Sequence, residues 1–65
     1  MKVLLNGEPF ATNAKNLDEL CARLGLAEAK IATALNGSFV AAASREETPL
    51  TDADEIEIVA PRQGG

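Results

Sequence analysis

Two Asn-Gly dipeptides, Asn6-Gly7 and Asn36-Gly37, set the frame within which this chain folds. Each stands between short runs of strand-forming residues. Lys2 to Leu5 precede the first and Pro9-Phe10 follow it; Ile31 to Leu35 precede the second and Ser38-Phe39-Val40 follow it. A two-residue type I′ turn needs positive φ at both central positions, which asparagine tolerates and glycine adopts freely, so each dipeptide predicts an antiparallel hairpin. Across the first turn Leu5 then faces Glu8 and Val3 faces Phe10, while Leu4 points to the other side of the sheet. Val3, Leu5 and Phe10 are expected in the core.

Between the hairpins, Leu17, Leu20, Cys21 and Leu24 follow the i, i+3, i+4, i+7 spacing of a helix with one buried face. Asn16 is a natural N-cap, Glu19 is placed to reach back as in a capping box, and Asp18 and Glu19 suit the positive end of the helix dipole. Arg23 suits the other end, Gly25 stops the helix, and Leu26 supplies the expected apolar contact. Residues 43–54 are polar and turn-rich, with Pro49 and the run Asp52-Ala53-Asp54, although Leu50 is expected to plug the core from this loop. The last run, Glu55-Ile56-Glu57-Ile58-Val59, alternates strictly, so Ile56 and Ile58 face inward and Glu57 outward. Pro61 ends it. A last strand returning beside the first makes a mixed sheet covered on one face by a helix, an α+β architecture, though periodicity alone leaves other α+β topologies open. Residues 1–60 form the domain and 61–65 a flexible C-terminal tail.

The chain has 65 residues, enough for one domain. A domain of this size buries only about 60% of the surface its unfolded chain exposes, so the core must be compact. With 46% hydrophobic and 25% charged residues it has the balance of a folded protein. Six Lys and Arg against ten Asp and Glu give a net charge of -4. The basic residues are scattered and form no stripe to follow a phosphate backbone, which disfavours nucleic acid. No apolar run approaches the ~20 residues of a membrane helix, and Met1-Lys2-Val3-Leu4-Leu5-Asn6 turns polar too early for a signal peptide. A cytoplasmic location is expected. The single cysteine allows no internal disulfide and fits a reducing compartment, and the absence of His removes the commonest general base and metal ligand. Both gaps point away from a self-contained enzyme.

No Ser or Cys has a His partner, and no metal-spaced Cys/His cluster or Gly-rich phosphate loop occurs. Asp52, Asp54, Glu55 and Glu57 lack the glycine and the regular oxygen spacing of a hard-cation loop, and read as a solvated turn and an exposed strand face. Neither a metal nor a cofactor site is assigned. Cys21 lies on the apolar helix face, where a buried thiol acts as a small hydrophobe. What remains is the end of the chain, Pro61-Arg62-Gln63-Gly64-Gly65. It follows the last strand directly, so its carboxylate projects on a leash of about 15 Å. Two glycines carry no Cβ, which lets the backbone enter a narrow slot beside a nucleotide phosphate. The ionised carboxylate is a poor acyl donor, so useful chemistry requires activation by another protein.

In the opening VLLNGEPF, the helix LDELCARLG, the hairpin IATALNGSFV and the closing LTDADEIEIVAPRQGG, the chain resembles the sulfur carriers of thiamin biosynthesis, the ThiS family, over nearly its whole length. That family shares the ubiquitin-like β-grasp fold with molybdopterin-synthase small subunits and ubiquitin. The resemblance implies a sheet of about four to five strands covered by one helix. It also implies a non-catalytic carrier with Gly65 as its reactive residue and Arg62, Gln63, Gly64 and Gly65 as the segment that enters a partner's active site. An activating-enzyme-like adenylyltransferase (ThiF type) would use ATP to adenylate Gly65, and sulfur, drawn from cysteine through a desulfurase, would convert it to a thiocarboxylate. A thiazole synthase (ThiG type) would receive that sulfur. Many members carry Gly where this chain has Ala53, which opens a different turn geometry there.

The strand register also places Leu4, Phe39 and Val59 on the face away from the helix, with Ala32 and Ala34 between them. Three large apolar groups on an uncovered sheet exceed what a small domain needs, so they form a candidate partner-binding patch. A bulge in the second hairpin would instead send Phe39 into the core. The free protein is expected to be a monomer. Other readings stay open: a carrier for molybdopterin or another sulfur-containing metabolite, a ubiquitin-like protein modifier, or a binding module whose terminal glycines are incidental.

Overall fold

The computed structural model describes residues 1–60. Five strands, β1 (Lys2–Leu5), β2 (Glu8–Ala11), β3 (Ala32–Leu35), β4 (Ser38–Val40) and β5 (Glu55–Val59), form one sheet in the order β2-β1-β5-β3-β4. The two hairpins, β1–β2 and β3–β4, are antiparallel; β5 lies between them, parallel to β1 and antiparallel to β3. Helix α1 (Leu17–Arg23) packs on one face. This is the ubiquitin-like β-grasp.

Both turns take the expected shape, with φ of 50° and 85° at Asn6 and Gly7 and of 51° and 86° at Asn36 and Gly37. Leu5 pairs with Glu8 and Val3 with Phe10, the register that a two-residue turn imposes. Val3 is fully buried, while Leu5 and Phe10 are partly buried against the same core. The third strand starts at Ala32, one residue later than expected, and Ile31 still packs against the core.

At seven residues α1 is too short to persist alone, so capping and packing hold it. The Asn16 side chain accepts from the Glu19 N–H at 2.7 Å, and Glu19 reaches back to the Lys15 N–H at 2.6 Å, one residue earlier than in the usual capping box. At the other end the Leu26 N–H bonds to the Cys21 carbonyl and the Gly25 N–H to the Ala22 carbonyl, the paired bonds of a Schellman motif. The inner face of α1 buries Leu17, Leu20 and Cys21 against Val3, Ala14, Leu50, Ile56 and Ile58. Each fully buried leucine is worth about 1.5–3 kcal/mol against about 1 kcal/mol for a cap, so the buried face as a whole outweighs the caps in deciding where the helix lies.

The segment expected to be only polar and turn-rich contains a 3-10 helix, Ala42–Glu47, and a buried cation. Arg45 is 9% exposed; its Nε donates to Thr33 Oγ1 at 3.0 Å and its Nη2 to the Ile31 carbonyl at 2.8 Å. Thr33, itself buried, passes its own hydroxyl proton to the Val40 carbonyl at 2.7 Å. A guanidinium can be buried here because two of its N–H groups meet acceptors, and this relay of hydrogen bonds ties the 3-10 helix to β3 and β4. Leu50 fills the core beside it as expected.

The turn before β5 is anchored to β1. Lys2 donates to Asp52 Oδ1 at 2.8 Å and accepts from the Ala53 N–H at 2.8 Å, and the Asp54 carboxylate accepts from the Thr51 N–H and from the Asn36 amide. Held this way, Ala53 takes φ 74°, in the left-handed region that glycine favours. The alanine thus strains the turn instead of moving it out of that region. The left-handed cost of about 1–2 kcal/mol exceeds the entropic cost of a glycine, so Ala53→Gly should stabilise the fold by about 0.5–1 kcal/mol. Thermal unfolding should show a rise of roughly 2–8 °C, and a fall would contradict the assigned strain.

The Thr51 N–H, and after it the Asn36 amide, hold the Asp54 carboxyl below its ordinary value of 3.8. The folded form therefore binds this proton less tightly than the unfolded chain. Its contribution is fully present above pH 3.8 and is lost as pH falls through the lowered folded value. Glu19 behaves alike, held down first by the Lys15 N–H. Asp54→Asn should consequently narrow, without closing, the gap between midpoints measured at neutral pH and at about pH 3. An unchanged gap would show that the Asp54 contacts carry no stability.

Candidate functional site

The expected reactive segment, Arg62, Gln63, Gly64 and Gly65, lies outside the described residues, as does the division of the chain at Pro61. What the structure describes is the base from which that segment departs. β5 alternates as its sequence requires, with Ile56 and Ile58 buried and Glu55, Glu57 and Val59 exposed. It is the central strand, so both of its edges are occupied.

Both Asn-Gly turns also grip β5, a feature that the turn signals did not announce. Asn36 donates its backbone N–H to the Glu55 carbonyl at 2.7 Å and accepts the Glu55 N–H on its side-chain oxygen at 2.9 Å. Asn6 donates its backbone N–H to the Ile56 carbonyl at 2.8 Å, and its side-chain amide pairs with both backbone groups of Ile58, at 2.9 and 3.1 Å. Asparagine at a type I′ corner was read for its tolerance of positive φ. Its short amide also leaves the corner at a height where it can substitute for a missing strand partner.

The outer sheet face carries the apolar groups expected there. Phe39 is 73% exposed, so the second hairpin has no bulge that would send it inward, and Val59 is 58% exposed. Phe39 sits opposite Ala34, and Val59 opposite Ala32. Together with Asn6 and Glu57 these side chains line an open groove of about 580 Å³. Leu4 is placed otherwise. It is half-buried, lies between Pro9 and Glu55 in the sheet, and takes no part in lining the groove. Of the three residues expected in the patch, Phe39 and Val59 share one groove, and Leu4 lies outside its lining, next to Glu55.

Among the described residues no group of three or more His, Cys, Asp or Glu side chains comes together as a metal site. Asp52 and Asp54 serve as acceptors for turn N–H groups. Cys21 is buried, and loss of water pushes its thiol pKa up, only partly offset by the nearby Arg45 cation. Such a thiol stays protonated and packs as an apolar group. Among the described residues no helix is long and apolar enough to cross a membrane.

The architecture and the sequence have clear counterparts. The ThiS family model matches residues 3–65. The chain is 36% identical over 63 residues to the sulfur carrier protein ThiS of Thermus thermophilus, a match that covers 97% of this chain and 98% of that protein. It is similar to the crystal structure of the thiamine biosynthesis protein ThiS from Geobacter metallireducens, at 28% identity and a TM-score of 0.85 over the whole of both chains. A solution structure of a thiamine biosynthesis protein from the same organism gives a TM-score of 0.79 at 28% identity, covering all of this chain and 88% of that one. With the family match spanning nearly every residue and solved relatives of the same overall fold, the chain belongs to the ThiS family.

Proposed function

We propose that this sulfur carrier of thiamine biosynthesis works through the carboxylate of Gly65, which a partner adenylates and then converts to a thiocarboxylate. The observation that carries the reading is the family match running through to Gly65, over an ending of Gly64-Gly65 that follows β5 closely. An adenylyltransferase of the ThiF type binds the ATP. The carboxylate oxygen attacks the α-phosphorus, pyrophosphate leaves, and the resulting mixed anhydride is a competent acyl donor where the free carboxylate was not. A persulfide, its outer sulfur drawn ultimately from cysteine through a desulfurase, attacks the acyl carbon and displaces AMP. A thiol then reduces the resulting acyl disulfide, taking up the inner sulfur in a new disulfide and leaving the thiocarboxylate. A thiazole synthase of the ThiG type receives the sulfur. The carrier contributes a reactive end and a surface; the catalytic groups are the partners'.

The absence of Cβ atoms at Gly64 and Gly65 supports entry into a narrow slot, and Arg62 and Gln63 supply polar groups for its mouth. The Phe39–Val59 groove is the docking surface in this reading, with Leu4 at its margin. Exposed aromatic and branched side chains on an otherwise small-residue face are the kind of anchor that a partner desolvates. Glu57 beside them favours a partner that presents a basic group there.

ATP–pyrophosphate exchange with a ThiF-type adenylyltransferase tests both parts. Full-length protein should support exchange, and deletion of Gly65 should abolish it while thermal unfolding stays where it was, because every core residue among 1–60 is kept. Exchange with the truncated chain would end the proposal. Phe39→Glu should lower the apparent affinity by about tenfold with little change in unfolding, since the ring is exposed; an unchanged affinity would remove the groove from the account.

A further inference from the structure

β1 ends before β5 does. The parallel ladder between them runs through Leu4 with Glu55 and Leu5 with Ile56, and at Asn6 the backbone turns away into the hairpin with φ 50°. Ile58 therefore has no residue of β1 opposite it. Its N–H and its carbonyl point to that side nonetheless, and both are taken by one side chain: the N–H donates to Asn6 Oδ1 at 2.9 Å, and Asn6 Nδ2 donates to the carbonyl at 3.1 Å. The two residues are 52 apart in sequence. The amide extends the sheet beyond the point at which the main chain has left it, and it does so three residues before Pro61.

We infer that Asn6 is a positioning residue for the carrier reaction: by pairing both backbone groups of Ile58 it holds the end of β5 extended and so fixes the strand end to which residues 61–65 are joined. The inference rests on the reading of Gly65 as the adenylated residue. A tail that must thread another protein's slot gains when its base is already aligned, since less ordering remains to be done on binding. Asn6 also borders the Phe39–Val59 groove, so the clamp holds the departure point in a fixed relation to the docking surface. Asn36 provides an internal comparison. It too closes over β5, at Glu55 at the opposite end of the strand, with its backbone N–H on the carbonyl and its side-chain oxygen on the N–H, while its Nδ2 goes to Asp54.

Asn6→Gly keeps the turn, because glycine takes positive φ without strain, and removes only the amide. In this variant amide hydrogen exchange at Ile58 should quicken by about tenfold. With a ThiF-type adenylyltransferase and ATP, its KM should rise roughly tenfold at a kcat within about twofold of wild type, the pattern of lost alignment and not of lost chemistry. Asn6→Asp keeps the oxygen that accepts from Ile58 and should recover part of the KM. Asn36→Gly, destabilised by a similar loss, should leave KM near wild type. Equal KM increases in the Asn6 and Asn36 variants would overturn the inference, as would an unchanged KM beside fast exchange at Ile58. If the wild-type chain is not adenylated at all, the reading of Gly65 fails on its own, and slow exchange at Ile58 in the Asn6→Gly variant would still refute the clamp.

Discussion

β5 has no free edge. β1 runs along one side of it and β3 along the other, Asn36 closes over its first residue, and Asn6 completes its pairing where β1 has stopped. The buried face of the same strand supplies Ile56 and Ile58 to the core, so hydrophobic burial and hydrogen bonding converge on five residues. The rest of the molecule is arranged around this strand. α1 covers its inner face, the hairpins flank it, and the Thr51–Asp54 turn delivers the chain into it.

This arrangement separates stability from function along the chain. The core, caps and turns described above lie within residues 1–60, and the segment assigned to chemistry follows β5 in the sequence. The corner asparagines lie within the folded part, where Asn6 and Asn36 hold the two ends of β5 and Asn6 also borders the outer groove. The outer groove follows the same logic, because Phe39 and Val59 contribute little to the core and are available to a partner.

The elements that could be read from sequence are those whose signals are local. The hairpin registers follow from two-residue turns, the helix from its apolar spacing and caps, and the facing of β5 from strict alternation. Family resemblance, not periodicity, singled out the β-grasp among α+β topologies and gave the reading of Gly65. What was not legible depends on contacts between distant residues. Arg45 carries the hydropathy of a surface residue, and its burial makes sense only once Thr33 and the Ile31 carbonyl stand beside it. The side chain of Asn6 finds Ile58 only when the last strand returns beside the first. Leu4 faces the side that its register requires, yet β5 and β3 lie between its strand and that of Phe39, a matter of strand order that alternation does not encode.

The central claim is that this small sheet presents the carboxyl end of Gly65 as a sulfur-bearing group. Its most direct test is the intact mass of the protein recovered under non-reducing conditions from its own cells while they are making thiamin. The account predicts a population heavier by the difference between one sulfur and one oxygen atom, with the added mass confined to the peptide that ends in Gly65. A single species with an unmodified carboxylate, in cells that depend on this chain for thiamin, would contradict it.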